Sequence, residues 1–306
     1  MTRIKNQKDY SLQQEAIEAS RQKLISDPAN GKLHFEYGQM EFNQGNYFLA
    51  LAEFKTAEVL GFISEELITQ RKKCIALLPD LLAINHNQYF RFKSLEQELL
   101  KRIEESGRTD LENITVLDVG GGDGTFSAFI PQIKYSLAEP LKNGINGKNL
   151  PFEDNSFDYV VSCHVLEHVP IEQRELFLET LLSKCKVGVI LLNPVYIPET
   201  LPEERLELYV ELTDEEWAKE HIDCILPTID SIKKFADRKN IFFAYQPNGN
   251  ITTTLSYAYL EFFTRNDSKK KAKFTKINKF FNSYNLDFLN SETIPTAGLF
   301  YLGKSK

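Results

Sequence analysis

The chain is poor in sulfur. It has four cysteines, Cys74, Cys163, Cys185 and Cys224, and two methionines in 306 residues. The cysteines are far apart and form no C-x-x-C pair, which argues against a zinc site of ordinary spacing and against a disulfide framework. Reduced, mostly buried thiols are expected. Long apolar runs are also missing: the longest clean one, Val187-Gly188-Val189-Ile190-Leu191-Leu192, is far below the roughly 20 residues that a membrane helix needs. The opening MTRIKNQKDYS carries early basic residues with no apolar stretch behind them, so no secretory leader is expected and a cytoplasmic location is. A surplus of positive charge is absent as well. The net charge of −7 weighs against a dedicated nucleic-acid binder, which needs Lys and Arg to neutralise phosphates. What is present, 42% hydrophobic and 26% charged residues, is a globular composition long enough for about two domains.

From Ser11 to about Arg108 apolar and polar residues alternate with helical spacing and little β-branched density, which predicts an all-helical region over 1–108. Within it, residues 28–62 resemble a tetratricopeptide repeat of 34 residues. Gly38, Ala50, Phe54 and Ala57 fall where that motif's two helices cross, and Gly45 lies in the turn between them. Thirty-four residues further on stand Lys72, Ile84, Gln88 and Arg91, so the register is not kept. Because about three stacked repeats are needed for a continuous core, a single unit should lean on the next domain. It serves either as a packing adaptor, the favoured reading, or as a groove for a protein partner.

The composition changes near residue 112. Asn113 to Val119 is a short β-branched run, Gly120-Gly121-Gly122-Asp123-Gly124 follows, and then Thr125 to Ile130 reads as helical. Glycines let a backbone approach a ligand and take positive φ, and free N–H groups at a helix start favour an anionic group. A dinucleotide site asks for G-x-G-x-x-G. Counting from Gly120 or from Gly122 puts Thr125 or Ser127 at the third glycine, so that pattern is incomplete. A second strand, Tyr135 to Ala138, ends at Glu139, 21 residues after Asp118, where an acid can accept hydrogen bonds from ribose hydroxyls.

Read as acid-x-G-x-G-x-G, Asp118 to Gly124 matches at every fixed position and resembles the first motif of class I S-adenosylmethionine-dependent methyltransferases. The stretch Leu150-Pro151-Phe152, Asp154-Asn155-Ser156-Phe157-Asp158 and Leu166-Glu167-His168-Val169 is similar to the LPF, DNSFD and LEHV segment of the small-molecule type of that family. Two further stretches look like its later strands: the apolar run ending at Asn193-Pro194, and the chain end Gly298 to Lys304. The resemblance implies a doubly wound, Rossmann-like α/β sheet over residues 109–306, strand order similar to 3-2-1-4-5-7-6, preceded by the all-α tetratricopeptide-like domain. It implies S-adenosyl-L-methionine as cofactor, with Asp118, Gly120, Gly122, Gly124, Glu139, Asn146 and Leu150 as its binding residues. Only about ten residues separate Glu139 from Leu150, so the helix usual after the second strand is missing or reduced to a turn at Asn143-Gly144, and a vestigial third strand is expected. Asn146 stands where the family has an aspartate, and its amide oxygen still offers the adenine an acceptor.

His164 lies just past the strand Tyr159 to Ser162, at the edge where open α/β sheets bind ligands, and is the candidate catalytic residue. Because the sulfonium is already activated, aligning acceptor and methyl is the main task; a general base is optional and no metal is called for. Residues 198–285 read as an insertion covering the acceptor. Over 198–224 it carries ten carboxylates against Arg205 and Lys219 alone, a sign that suits a small neutral or cationic acceptor, or a sugar, and not nucleic acid. Methyl transfer to a protein or peptide held by the N-terminal helices, and a non-catalytic scaffold, are the alternative readings.

Overall fold

The computed structural model describes residues 15–284 and 294–304. The chain opens with helices α1 (15–26), α2 (Gly31–Asn43), α3 (Tyr47–Val59), α4 (Glu65–Leu77) and α5 (His86–Glu105). Strand β1 (Thr115–Val119), the short α6 (Phe126–Phe129), β2 (Lys134–Ala138), β3 (Phe157–Cys163), α7 (Ile171–Lys184) and β4 (Cys185–Pro194) follow. Then come α8 (Pro202–Thr213), α9 (Glu216–Cys224), α10 (Ile229–Lys239), β5 (Phe242–Asn248), α11 (Ile251–Thr264), α12 (Ser268–Asn282) and β6 (Ala297–Gly303). The strands form one six-stranded sheet of order β2-β1-β3-β4-β6-β5. Two compact units share the chain: residues 1–78 with 110–158, and residues 79–109 with 159–306. The chain therefore passes between units near the expected boundary at 108–109, and again at 78–79 and 158–159. No helix among the described residues is long and apolar enough to cross a membrane.

In the first unit the N-terminal helices are part of the α/β core. Helix α3, YFLALAEFKTAEV, is apolar on more than one side and buries Leu49 through Ala57 without a break. One side meets α2 where Gly38 makes room, since a Cβ there would lie 2.9 Å from the Phe54 ring. The other side meets β2, where the Leu137 amide donates to Thr56 Oγ1 at 2.9 Å. Lys55 is buried at this junction and donates to the carbonyls of Ser127, Ile130 and Ile133 at 3.2, 3.0 and 3.1 Å. The Lys55 amine thus serves carbonyls of α6, of its C-terminal cap and of the turn that leads into β2. β1 and β2 pair in parallel, Thr115 opposite Lys134 through Val119 opposite Ala138.

The strand after β2 that the resemblance implies is not formed. Residues 139–156 make turns, β2 ends the sheet, and the sheet has six strands where seven were expected. The cause lies in how short the segment is and in what holds it. Arg21 of α1 donates to the carbonyls of Lys142 and Pro140. Glu53 of α3 accepts from Asn143 Nδ2 at 3.1 Å, and Asn143 Oδ1 accepts the amides of Glu139 and Ile145. Glu53 is set in turn by His34, whose Nδ1 lies 2.5 Å from Glu53 Oε2 and whose Nε2 lies 2.9 Å from the Pro28 carbonyl. A buried polar chain thus runs from α2 to the backbone of Glu139.

In the second unit β6 runs antiparallel to both β4 and β5, with Gly188 and Phe242 each opposite Gly303. Helix α5 is fixed on this sheet by Arg102, whose guanidinium lies 4.2 Å from the centre of the Tyr301 ring and pairs with Glu98 and Glu105 at 2.6 and 2.7 Å. The Tyr159 hydroxyl donates to the Arg102 carbonyl at 3.0 Å. The stretch 198–285, read from sequence as an insertion, contains α10 and β5, the other edge of the sheet. Its helices α11 and α12 are tied to the start of α5 by His86, whose Nδ1 lies 2.7 Å from Asn282 Oδ1, and by Asn87 donating to the Thr254 carbonyl.

Candidate functional site

The first unit carries the glycine loop. Gly120, Gly122 and Gly124 have φ of +77, +59 and +72°, and the Gly120 amide donates to the Ala138 carbonyl at 2.8 Å. These left-handed conformations strain any residue with a Cβ. The loop's glycines are packed unequally. A Cβ on Gly124 would run into Ala52 of α3, and one on Gly121 into the Asp118 carboxylate, whereas one on Gly122 would meet open space. Gly122 is therefore the point at which the loop can present bare backbone to a ligand. Its N–H donates to Glu139 Oε2 at 3.0 Å, while Glu139 Oε1 accepts the Leu141 amide at 3.1 Å. Glu139 closes the loop, and a nucleoside hydroxyl would share its remaining lone pairs.

Asp118 lies beneath the loop, 2% exposed, and accepts the Tyr135 hydroxyl at 2.7 Å. Burial pushes its carboxyl up to about 7. Its observed partner is thus Tyr135, with the glycine loop stacked on top. Asn146 is exposed, and its Oδ1 accepts the Lys148 amide at 2.9 Å. Leu150 is buried. Asp158 fastens the strands at their base: its Oδ2 accepts from the amide and hydroxyl of Thr115 at 2.8 and 3.0 Å. The helix expected after the glycines is only α6, too short to bring a helix N-terminus to bear on an anion.

The second unit contains a cavity of about 560 Å³, walled by α5, α8, α9 and α11 and by the turn after β3. Asn193 of β4 shapes that turn, its Oδ1 accepting the amides of Val165 and Leu166 at 3.3 and 3.2 Å. His164 opens the turn at φ +57°, its amide bonded to the Leu192 carbonyl at 2.8 Å. This left-handed residue, costly for anything but glycine, aims the imidazole into the cavity. Burial, with Arg91, His221 and His168 nearby, drives its pKa well below the ordinary histidine value, so it is neutral at pH 7. His221 is likewise held down, to about 3, by burial first and by His168 next.

Arg91 of α5 reaches the same cavity. Among the described residues it has no hydrogen bond and no ion pair within 4.0 Å, in contrast to Arg265, which pairs with Glu215 at 2.6 Å. Glu215 is also the single carboxylate of the 198–224 stretch that lines the cavity. The ten-to-two acidic excess of that stretch therefore does not set the sign of the cavity. In the lining of the same cavity, Tyr209 and Trp217 pack on each other with ring centroids 5.0 Å apart. Arg91 went unnoticed in the sequence because no local pattern marks it; only the docking of α5 in the second unit turns a helical arginine into a cavity cation.

A family model described as a methyltransferase domain matches residues 87–236. The solved structures that the chain is similar to include three that differ in source. The phosphoethanolamine N-methyltransferase 2 of Haemonchus contortus, solved with phosphomonomethylethanolamine and S-adenosylhomocysteine, is 13% identical over 68% of this chain and 52% of that one, TM-score 0.40. This chain thus spans about half the length of that protein. A cyclopropane synthase of Mycobacterium tuberculosis is 14% identical over 68% and 84%, TM-score 0.42. An S-adenosylmethionine-dependent methyltransferase of Thermotoga maritima is 15% identical over 79% and 98%, TM-score 0.41. No curated protein sequence matches. Over residues 87–236, from the first turn of α5 to the last turn of α10, the chain matches a methyltransferase domain.

Proposed function

We propose that the protein transfers the methyl group of S-adenosyl-L-methionine to a small molecule. The observation that carries this reading is the Asp118 to Gly124 loop, with three glycines in left-handed conformations and Gly122 facing open space beside the Glu139 carboxylate. Gly120, Gly122, Gly124 and Glu139 would hold the cofactor, with Asn146 and Leu150 near its adenine. Asp118 would act through the loop and through Tyr135. The cofactor would supply an activated methyl group, whose carbon would bond to the acceptor's lone pair as its bond to sulfur breaks and S-adenosylhomocysteine leaves. Bringing the two into line supplies most of the acceleration.

The cavity of the second unit suits the acceptor: about 560 Å³ is the size of pockets that hold small molecules. Tyr209 and Trp217 offer it an apolar face and Arg91 an unpaired cation, which favours an acceptor carrying a carboxylate or phosphate. This shifts the neutral or cationic acceptor expected from sequence toward an anionic one. Neutral His164 is the candidate to take the acceptor's proton. The helices α2 and α3 are read as a single tetratricopeptide-like unit used as a packing adaptor, because its inner surface is spent on β2.

The test is calorimetric titration of the full chain with S-adenosylmethionine and S-adenosylhomocysteine, followed by transfer of labelled methyl into fractionated cell extract. Binding of both ligands and label in small anionic molecules are expected. An absence of binding at millimolar cofactor would sink the proposal, and label in protein would move it to the peptide reading. Once an acceptor is known, Arg91→Met should raise its KM at least tenfold and leave cofactor affinity unchanged.

A further inference from the structure

The cavity wall holds a group of side chains that methyl transfer does not require. Glu167 is fully buried, and neither of its carboxylate oxygens accepts a hydrogen bond from another residue. Leaving such a group unsatisfied is costly, so it calls for a partner. Its ligand atoms and those of His168 and His221 all lie within 4.8 Å of one another. The two Nε2 atoms are 3.2 Å apart, and His221 Nε2 is 3.8 Å from Glu167 Oε1. Two nitrogens bound to one tetrahedral ion at about 2.0–2.1 Å are roughly 3.3 Å apart, which is the spacing found here.

The surroundings support the same reading. Glu220 Oε2 stands 2.7 Å from His168 Nδ1, but that nitrogen has no hydrogen-bond partner of good geometry; with Nε2 of His168 on a metal, a small turn of the exposed Glu220 side chain would make it the outer carboxylate partner. A hydrogen bond from His221 to the lone pair of His168 Nε2 would pair the two imidazoles but leave Glu167 with the 3.1 Å contact to His164 and no hydrogen bond. A cation among the three satisfies all of them. His164 Nδ1 lies 3.1 Å from Glu167 Oε1, beside the three but outside their cluster. Arg91 on the same cavity makes no ion pair among the described residues, and the carboxylates that act on it from a distance are Glu167 and Glu261. Because His168 and His221 line the cavity, the ion's remaining positions face it.

We propose that Glu167, His168 and His221 bind a divalent transition-metal ion with coordination positions open to the cavity. Two imidazoles and one carboxylate suit zinc, ferrous iron or cobalt, whereas magnesium and calcium prefer oxygen alone. The ion would give an acceptor's oxygen a ligand site, which the sequence reading did not ask for. The site does not depend on the methyl-transfer reading and is tested without S-adenosylmethionine.

The experiment takes the tag-free, chelator-stripped full chain and titrates it with Co²⁺, followed by the visible d–d absorption, and with Zn²⁺ by calorimetry. One ion per chain is expected, with zinc displacing the cobalt band. Glu167→Gln and His221→Ala should weaken binding at least tenfold, and the exposed Glu220→Gln, which leaves the core untouched, should weaken it about 10-fold as an outer partner. Circular dichroism of the same samples shows whether each variant is folded. Absence of the cobalt band at millimolar ion, or unchanged affinity in folded His221→Ala and Glu220→Gln, would overturn the proposal.

Discussion

Gly122 and Gly124 stand two residues apart in one loop, yet a side chain at each meets different surroundings. At Gly122 a methyl points into open space, so Gly122→Val strains the backbone at φ +59° by about 1–2 kcal/mol and obstructs a ligand while leaving the core packing intact. Calorimetry should show cofactor affinity down at least tenfold in a protein that remains folded. Gly124→Val adds a collision with Ala52 of α3, an overpacking cost of about 1–3 kcal/mol on top of the strain. Its thermal midpoint should fall well below that of Gly122→Val; equal midpoints would contradict the packing described. Asp118 gives a pH signature. Burial raises its carboxyl to about 7 from an ordinary 3.8, so between those values the folded state holds the proton more tightly than the unfolded one. The stabilisation is fully present below about pH 4 and is lost as pH rises through 7. Asp118→Asn keeps an acceptor for the Tyr135 hydroxyl and does not titrate. Denaturant unfolding at about pH 4 and pH 7.5 should therefore show the wild type losing stability relative to the variant, and a constant difference would count against this account.

At the scale of elements, α3 matters most because it is a core helix of the α/β fold. Its apolar surface on more than one side was visible in the sequence, and Gly38, Ala50, Phe54 and Ala57 marked its crossing with α2. Its second neighbour was not visible, because its packing on β2 depends on Thr56 and Lys55, polar residues that read as solvent-facing until their partners are known. Lys55→Met should cost about 2–4 kcal/mol, since the Ser127 and Ile133 carbonyls lose this donor while Ile130 keeps the Ile133 amide. Urea unfolding measures it; a loss under about 1 kcal/mol would mean the carbonyls find other donors. A chain beginning at Asp110 would lack both α3 under β2 and α5 with its Arg102 on Tyr301. Such a fragment is expected to be insoluble or to lack native circular dichroism, and a well-folded one would contradict the role given to these helices.

For the whole molecule, local order was the legible part. The run Thr115 to Gly124, the acid Glu139, the turn after β3 and the last strand lie where their spacing placed them, because strands and glycine turns are dictated by near neighbours. What depends on distant partners was hidden. Residues 198–285 carry an edge strand, and Arg91 meets His164 and His221 only through folding, whereas the reduced segment after β2 was marked by the ten residues between Glu139 and Leu150. Counting carboxylates along 198–224 likewise does not tell which of them turn inward, and of that stretch Glu215 alone lines the cavity. The central claim, methyl transfer from S-adenosylmethionine to a small molecule, is tested most directly by incubating the full chain with cofactor labelled in the methyl group and a cell extract separated into small molecules, glycans, proteins and nucleic acids. The account predicts label in the small-molecule fraction, lost in Gly122→Val. Label confined to nucleic acid or protein, or label transferred equally by Gly122→Val, would contradict it.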